Sequence, residues 1–368
     1  MAAGTSSTPR RPSLSTIGPV VGVVVLALTW GRDLSLLAAG GAALALGGAV
    51  LAAVHHAEVI AHRVGEPFGS LTLAVAVTII EVGLILTLMS AGGAGASSLA
   101  RDTVFAAVMI TCNGILGISL LAASIKHGVA LFNAEGSGAA LATVATLTTL
   151  TLVLPSFTTS VTGPEYNTVQ LVFAAIASAA LYGMFVVTQT VRHRDFFLPV
   201  EVPAGNEDPD AHAEPPSRRT TISSVGLLVV SLVVVVGLAK VESPFIEDAV
   251  RGAGLPPAVV GVVIALLVLL PESLAAVRAA RRNRTQVAVN LAFGSAMASI
   301  GLTIPAIAIA SIWLDGPLLL GLGPTQLVLF GLTVVVGALT VVPGRATRMQ
   351  GAVHLAILAA FLVLAASP

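Results

Sequence analysis

Long apolar runs separated by short polar breaks fill most of the chain. Eleven runs stand out, near 17–30, 34–56, 68–90, 103–124, 137–156, 167–190, 221–240, 257–277, 285–312, 318–342 and 349–366. A membrane-spanning helix needs about 20 mainly apolar residues. The pattern therefore predicts an all-α integral membrane protein with about eleven transmembrane helices. The first run is the shortest and follows the polar segment Met1–Thr16. No small-residue cleavage pattern follows it, only Thr29, Trp30, Gly31 and Arg32, so it reads as a retained helix.

Composition agrees. Of 368 residues, 56% are hydrophobic and 10% charged, with mean hydropathy +0.97. A soluble domain carries about 25% charged residues, so a water-soluble enzyme is excluded. Net charge is zero and pI about 7.1, which points to no nucleic-acid partner. The single cysteine, Cys112, can form no internal disulfide. With the N-terminus inside, the inner loops take Arg10, Arg11, Arg63, Lys126, Arg192, Arg194, Arg218, Arg219, Arg278, Arg281, Arg282, Arg284, Arg345 and Arg348. The outer loops keep only Arg32, Arg101, Lys240 and Arg251. Inner loops of membrane proteins are enriched in Lys and Arg. An extra or missing helix mid-chain would scramble this bias, so it supports both the count and the orientation: N-terminus cytoplasmic, C-terminus outside.

The chain divides accordingly into a polar tail (1–16), an extra helix (17–33), a first half (34–190), a linker (191–220) and a second half (221–368). The linker holds Pro199, Pro203, Pro209, Pro215 and Pro216 with Glu201, Glu207, Asp208, Asp210 and Glu214. It reads as a solvated cytoplasmic connection.

Sixteen of the 18 acidic residues fall in loops, tails or helix ends under this topology. Glu81 and Glu272 do not. A carboxylate at lipid depth costs at least about 2.5–3.5 kcal/mol and marks an ion, substrate or proton path by default. No Lys or Arg lies mid-span to neutralise either one. Glu81 is about 13 residues from the inner end of its helix and Glu272 about 15 from the outer end of its own, so both lie about 20 Å deep at 1.5 Å per residue. They occupy the third and eighth spans. An offset of five makes those helices antiparallel and predicts two inverted-topology five-helix repeats, a secondary-transporter design with its site at mid-depth. Aligning Leu116-Gly117-Ile118 with Ile300-Gly301-Leu302 sets Thr111 opposite Ser295.

Thr78, Thr111, Asn113, Ser273, Asn290 and Ser295 offer neutral oxygens on the same four helices. Hard cations such as Ca²⁺ take several oxygen ligands. Pro271 should free carbonyls near Val268 and kink the helix before Glu272, and Gly83 should soften the other helix. Two buried carboxylates without a fixed cation cannot both stay ionised and empty at low cost. Two protons or one divalent cation can neutralise them, and these occupants exclude each other. Such competition is antiport, so the expected site residues are Glu81 and Glu272, with the six neutral residues around them.

The segments 61–85 (AHRVGEPFGSLTLAVAVTIIEVGLI), 100–117 (ARDTVFAAVMITCNGILG), 132–158 (FNAEGSGAALATVATLTTLTLVLPSFT) and 270–306 (LPESLAAVRAARRNRTQVAVNLAFGSAMASIGLTIPA) resemble the cation/calcium exchanger superfamily. They look most like its bacterial Cha-type calcium/proton and sodium–potassium/proton antiporters. The resemblance covers most of residues 20–366. It implies two repeats that each present an acid to the transported cation, here Glu81 and Glu272, with Asn113 and Ser295 in the polar positions of the partner helices. It also implies a bacterial inner membrane, no cofactor, and Ca²⁺ with H⁺ as the transported ions. The glycine–asparagine–acidic signature of calcium/proton exchangers is absent: Thr78-Ile79-Ile80 precede Glu81 and Leu269-Leu270-Pro271 precede Glu272. Na⁺ or K⁺ therefore stays open as the alternative cargo.

His55, Glu58 and His62 share a helix face at an acceptable zinc-ligand spacing. They sit at an inner helix end, where polar residues are ordinary. They and Glu135, near a helix start beside Ser137, are candidates for a proton path. An intramembrane metalloprotease would need a motif such as HExxH, and an ATP-driven pump a nucleotide-binding loop. Neither is present. A channel would need no displacement chemistry of the kind two buried acids provide.

Overall fold

A computed structural model describes residues 14–32, 34–65, 68–92, 95–200, 216–314 and 316–368. The polar tail up to residue 13 and most of the linker (201–215) lie outside the described residues. Eleven long helices follow in chain order: α1 Leu14–Thr29, α2 Leu36–Val64, α3 Phe68–Ala91, α4 Leu99–His127, α5 Ala134–Ser156, α6 Thr168–Arg192, α7 Arg218–Gly252, α8 Ala258–Arg281, α9 Thr285–Ala310, α10 Pro324–Val341 and α11 Arg348–Ala366. Among the described residues nine are long and apolar enough to cross a membrane. The first and third helices contribute the shorter apolar stretches Ser15–Thr29 and Val75–Ser90. The protein is thus a multi-pass membrane protein of the expected all-α class.

Helix starts follow local chemistry. Asn133 caps α5 through its side-chain oxygen, and Asn167 with Gln170 and Thr347 with Gln350 form capping boxes at α6 and α11. Two helices outrun the apolar runs that predict them. α2 continues to Val64 and α7 to Gly252, the latter through Pro244. α8 also passes through Pro271 as continuous helix. α4 is interrupted by a π-helical segment, Ile110–Ile115.

The connections test the span count. On the Arg-rich face, strand β1 (Ala130–Leu131) pairs antiparallel with β2 (Arg345–Ala346). There too Lys126 Nζ donates to Arg281 O at 2.9 Å and Arg63 Nη1 to Pro216 O at 3.2 Å. On the opposite face, Leu319 N donates to Ser97 O at 3.0 Å, Gly321 N to Pro164 O at 2.8 Å and Arg101 Nη1 to Gly321 O at 3.3 Å. These bonds join loops that alternation puts on the same side, as eleven spans require.

The inverted repeat shows in two close helix contacts. A methyl group on Gly117 of α4 would stand 2.9 Å from His354 Cβ and 3.1 Å from Gly351 O of α11. One on Gly301 of α9 would stand 2.5 Å from Tyr182 Cβ and 3.4 Å from Ser178 O of α6. When α2–α6 is mapped onto α7–α11, the pair α4/α11 becomes α9/α6. The two aligned glycines thus make the same helix contact in each repeat, where only the smallest residue lets the backbones approach. Symmetry is broken elsewhere. α3 packs mainly on α2 and α7, whereas its counterpart α8 packs mainly on α4 and α9. Gly83 belongs to the α3–α7 contact, since a methyl group there would come 2.7 Å from Val236 Cγ2. Its role is close packing rather than softening of the helix. Large apolar side chains such as Leu36, Leu37, Leu44, Val169 and Val328 point outward, as lipid rather than water permits.

Candidate cation site

Glu81 on α3 and Glu272 on α8 are 4% and 7% exposed. The two helices run in opposite directions, and both carboxylates line one cavity of about 200 Å³. Thr78, one turn before Glu81, lines it too, with Asn290, Ser295 and Ser299 of α9 and Tyr182, Phe185 and Gln189 of α6. Ser299 Oγ donates to Glu81 Oε1 at 2.5 Å. Among the described residues Glu272 Oε2 has no hydrogen-bond partner. Neither carboxylate has a cationic partner: among the described residues the ion pairs are Arg101–Asp102 and Arg251–Asp248. The cavity is therefore lined by two acids and several neutral oxygens, the donor set that hard cations and protons share.

Gln189, Val287 and Asn290 carry the cavity wall towards the Arg-rich face, where α6 ends and α9 begins. Asn290 Nδ2 bonds Phe197 O at 2.7 Å and its Oδ1 accepts from Gln286 Nε2 at 2.8 Å. That ties the cavity mouth to the first residues after α6. Towards the other face, Leu84 and Leu88 of α3 and Val260, Ile264 and Val268 of α8 are buried in one apolar cluster. The cavity lining thus extends towards the Arg-rich face, while apolar side chains pack on the other side of the glutamates.

Of the expected ligands, Glu81, Glu272, Thr78, Asn290 and Ser295 meet at this cavity, and Thr111, Asn113 and Ser273 do not line it. Thr111 Oγ1 donates to Ala107 O at 2.7 Å and Ser273 Oγ to Leu269 O at 2.7 Å, satisfying their own helices. Asn113 lies in the π-helical segment. Its Nδ2 donates to Thr333 Oγ1 at 2.9 Å, and its Oδ1 meets His354 Nδ1 at 3.1 Å. His354 Nε2 meets Thr340 Oγ1 at 3.1 Å, so Asn113 joins a buried network between α4, α10 and α11. Ser299 was absent from the expected set. Its signal in the sequence is the Ser-x-x-x-Ser spacing with Ser295, which puts both hydroxyls on one face of α9.

The proton-path candidates lie outside the cavity. His55, Glu58 and His62 are exposed at the Arg-rich end of α2. Among the described residues no group of three or more His, Cys, Asp or Glu is placed to hold a metal ion. The buried histidine there is His56, between Ser224 Oγ at 3.3 Å and Ser15 O at 3.1 Å. Glu135 is exposed in the first turn of α5, where the cap is Asn133, accepting from Glu135 N at 2.9 Å. A second cavity of about 260 Å³ on the opposite face is lined by Arg101, Asp102, Gln326 and Phe361. Its one buried acid, Asp102, is already paired with Arg101 at 2.8 Å.

Changing Ser299 to Ala removes the 2.5 Å hydrogen bond that Glu81 receives from α9. The expected result is an apparent cation affinity weakened about 10- to 100-fold, the usual effect of losing a partner that orients a ligand. Half-saturation measured in vesicles checks it.

Inverted repeats, a mid-depth cavity and two carboxylates from antiparallel helices, without an ion-pair partner among the described residues, define a secondary cation transporter. Sequence and structure comparisons identify its relatives. The profile of the family described as sodium/calcium exchanger protein matches residues 34–191 and 223–366, and the chain belongs to that family. It is 47% identical over 367 residues to the y4hA protein of Sinorhizobium fredii, covering 97% of each chain. It is 35% identical over 358 residues to the sodium-potassium/proton antiporter ChaA of Escherichia coli, covering 96% of each. The crystal structure of the H⁺/Ca²⁺ exchanger CAX superposes with a TM-score of 0.68 at 14% identity, over 95% of this chain and 86% of that one. The protein is a cation antiporter.

Proposed function

We propose that the protein exports Ca²⁺ from the cytoplasm in exchange for protons, with Glu81 and Glu272 as the shared site. The observation that carries this reading is the pair of unpaired buried carboxylates in one cavity. One divalent cation balances both charges, and two protons do the same. Either occupant removes the cost of holding bare charge at lipid depth. The neutralised site can then pass the apolar seal, while the empty ionised site cannot, which couples the two fluxes. Thr78, Ser295 and Ser299 supply neutral oxygens to the cation, and Asn290 lines its way in. Thr111, Asn113 and Ser273 join only if their helices turn during the cycle.

In this reading the Arg-rich face is cytoplasmic, in a bacterial inner membrane, with the N-terminus inside and the C-terminus outside. The structure then corresponds to an inward-facing state. The halves 34–190 and 221–368 are the two units that rock about the site, joined through the linker. Glu135, His55, Glu58 and His62 stand as surface groups that pass protons to the cavity mouth. The 35% identity to a sodium-potassium/proton antiporter favours a second reading, in which Na⁺ or K⁺ occupies the same site alongside one remaining proton.

Everted vesicles with CaCl₂, NaCl or KCl added in turn between pH 7 and 9 separate the two. Proton release on CaCl₂ is the expected result. Release on NaCl and KCl alone supports the second reading, and no release with any of the three overturns both.

A further inference from the structure

The buried stripe of α7 runs Ser231, Val234, Val235, Leu238, Ala239, Glu242, Ser243, at the spacing of one helix face. It packs against α2 and α3. Val234, Val235, Leu238 and Ala239 share one apolar cluster with Leu84 and Leu88 of α3 and Val260 and Ile264 of α8. Glu242 and Ser243 continue the stripe with polar groups. Glu242 is 4% exposed and Ser243 1%, and among the described residues neither Glu242 Oε1 nor Ser243 Oγ has a hydrogen-bond partner. The nearby cation Lys240 is directed elsewhere, over the Trp30 ring at 5.5 Å.

The position of Glu242 follows from the α3–α7 contact. Gly83 and Val236 stand side by side, and both helices run from the Arg-rich face to the opposite one. Glu242 is six residues beyond Val236 and Glu81 two residues before Gly83. At 1.5 Å per residue the two carboxylates are separated along the helix axes by about 12 Å. Between those levels lie Leu84 and Leu88, the α3 side of the seal. Beyond the seal, Leu88 and Val260 also wall a small cavity of about 20 Å³ with Glu247 of α7, close to the room one water needs. Glu242, a buried acid with its Oε1 unpartnered among the described residues, is thus level with the far edge of the Leu84–Leu88 layer.

We propose that Glu242 is the mouth carboxylate of the opposite face, holding a proton or cation at the outer edge of the seal before it passes to Glu81 and Glu272. The inference rests on the exchange reading of those two glutamates. A negative charge at this point concentrates cations where the path narrows. Ser243 adds a neutral oxygen beside it. Gly83 lets α3 and α7 lie close enough for a small shift between them to open the Leu84–Leu88 layer.

The test compares half-saturation in right-side-out vesicles, which present the opposite face, with that in everted vesicles, which present the Arg-rich face. CaCl₂ and NaCl serve as the probes. Glu242→Gln is expected to weaken half-saturation about tenfold or more at the opposite face alone, as loss of a ligand-orienting or ligating group does. Glu242→Asp should recover part of that loss. A structural role would change both faces alike. In a second arm, C112A removes the single cysteine, and Glu242→Cys is added. A membrane-impermeant thiol reagent should then block exchange when applied from the opposite face and not from the Arg-rich face. Equal half-saturation changes on both faces, no change on either, or block from the Arg-rich face overturns the proposal. Glu81→Gln assayed in parallel keeps the failures apart. Exchange persisting in that variant strikes the site itself. An inactive Glu81→Gln beside a symmetric Glu242→Gln strikes only the mouth.

Discussion

Glu81→Gln and Glu272→Gln are each expected to abolish exchange while the protein stays folded in the membrane. Glutamine keeps the shape of the side chain, and its carbonyl oxygen can still accept from Ser299 at position 81. What it loses is the charge that cation and proton compete to neutralise. Breaking one partner of a buried charge arrangement costs about 3–5 kcal/mol. At about 1.4 kcal/mol per tenfold, cation binding falls about 100- to 4000-fold, and the one remaining carboxylate cannot exchange two protons for a divalent cation. Folding should not suffer, because a buried ionisable group gives way to a neutral one. Cation-driven proton flux and thermal unfolding in detergent check the two halves of the expectation. Near-normal flux in either variant would refute the role of the replaced residue and the paired mechanism, since a single carboxylate would then suffice.

The span pattern was legible because the bilayer reduces it to one dimension: apolar length and the placement of Lys and Arg. Glu81 and Glu272 were legible for the same reason, as charges out of place in apolar runs. Glu242 was not. Lys240, Pro244, Glu247, Asp248 and Arg251 make the end of that run look like a loop, whereas packing against α2 and α3 carries α7 on to Gly252 and buries the acid. Neutral ligands are harder still. Ser, Thr and Asn are tolerated on any helix face because they can bond their own backbone, as Thr111 and Ser273 do. The repeat alignment sets Thr111 opposite Ser295, yet α4 winds as a π-helix over 110–115 while α9 stays α-helical through Ser295. A π segment changes which residues face a given neighbour, so repeat equivalence in sequence does not transfer to side-chain direction. Asn113 therefore faces Thr333 and His354, partners that no local spacing indicates.

Half-saturation for the transported cation should rise steeply as pH falls, and the steepness reports the stoichiometry. The sign follows from competition. Lower pH fills the carboxylates with protons, the cation must displace them, and more cation is needed. Binding that releases protons depends on pH in proportion to the number released. Where both carboxylates carry protons, displacement of two by one Ca²⁺ moves half-saturation by about 100-fold per pH unit, and displacement of one by Na⁺ or K⁺ by about tenfold. Where the pair is already ionised the dependence vanishes, so the curve must flatten towards high pH. Equilibrium binding of Ca²⁺ and Na⁺ to the detergent-solubilised protein, measured across the acid range, gives the slope without any contribution from the membrane potential. A slope of two supports Ca²⁺ export against two protons, and a slope of one with Na⁺ or K⁺ supports the monovalent reading. A flat profile for every cation means that proton and metal do not share oxygens, and the exchange chemistry assigned to Glu81 and Glu272 fails with it.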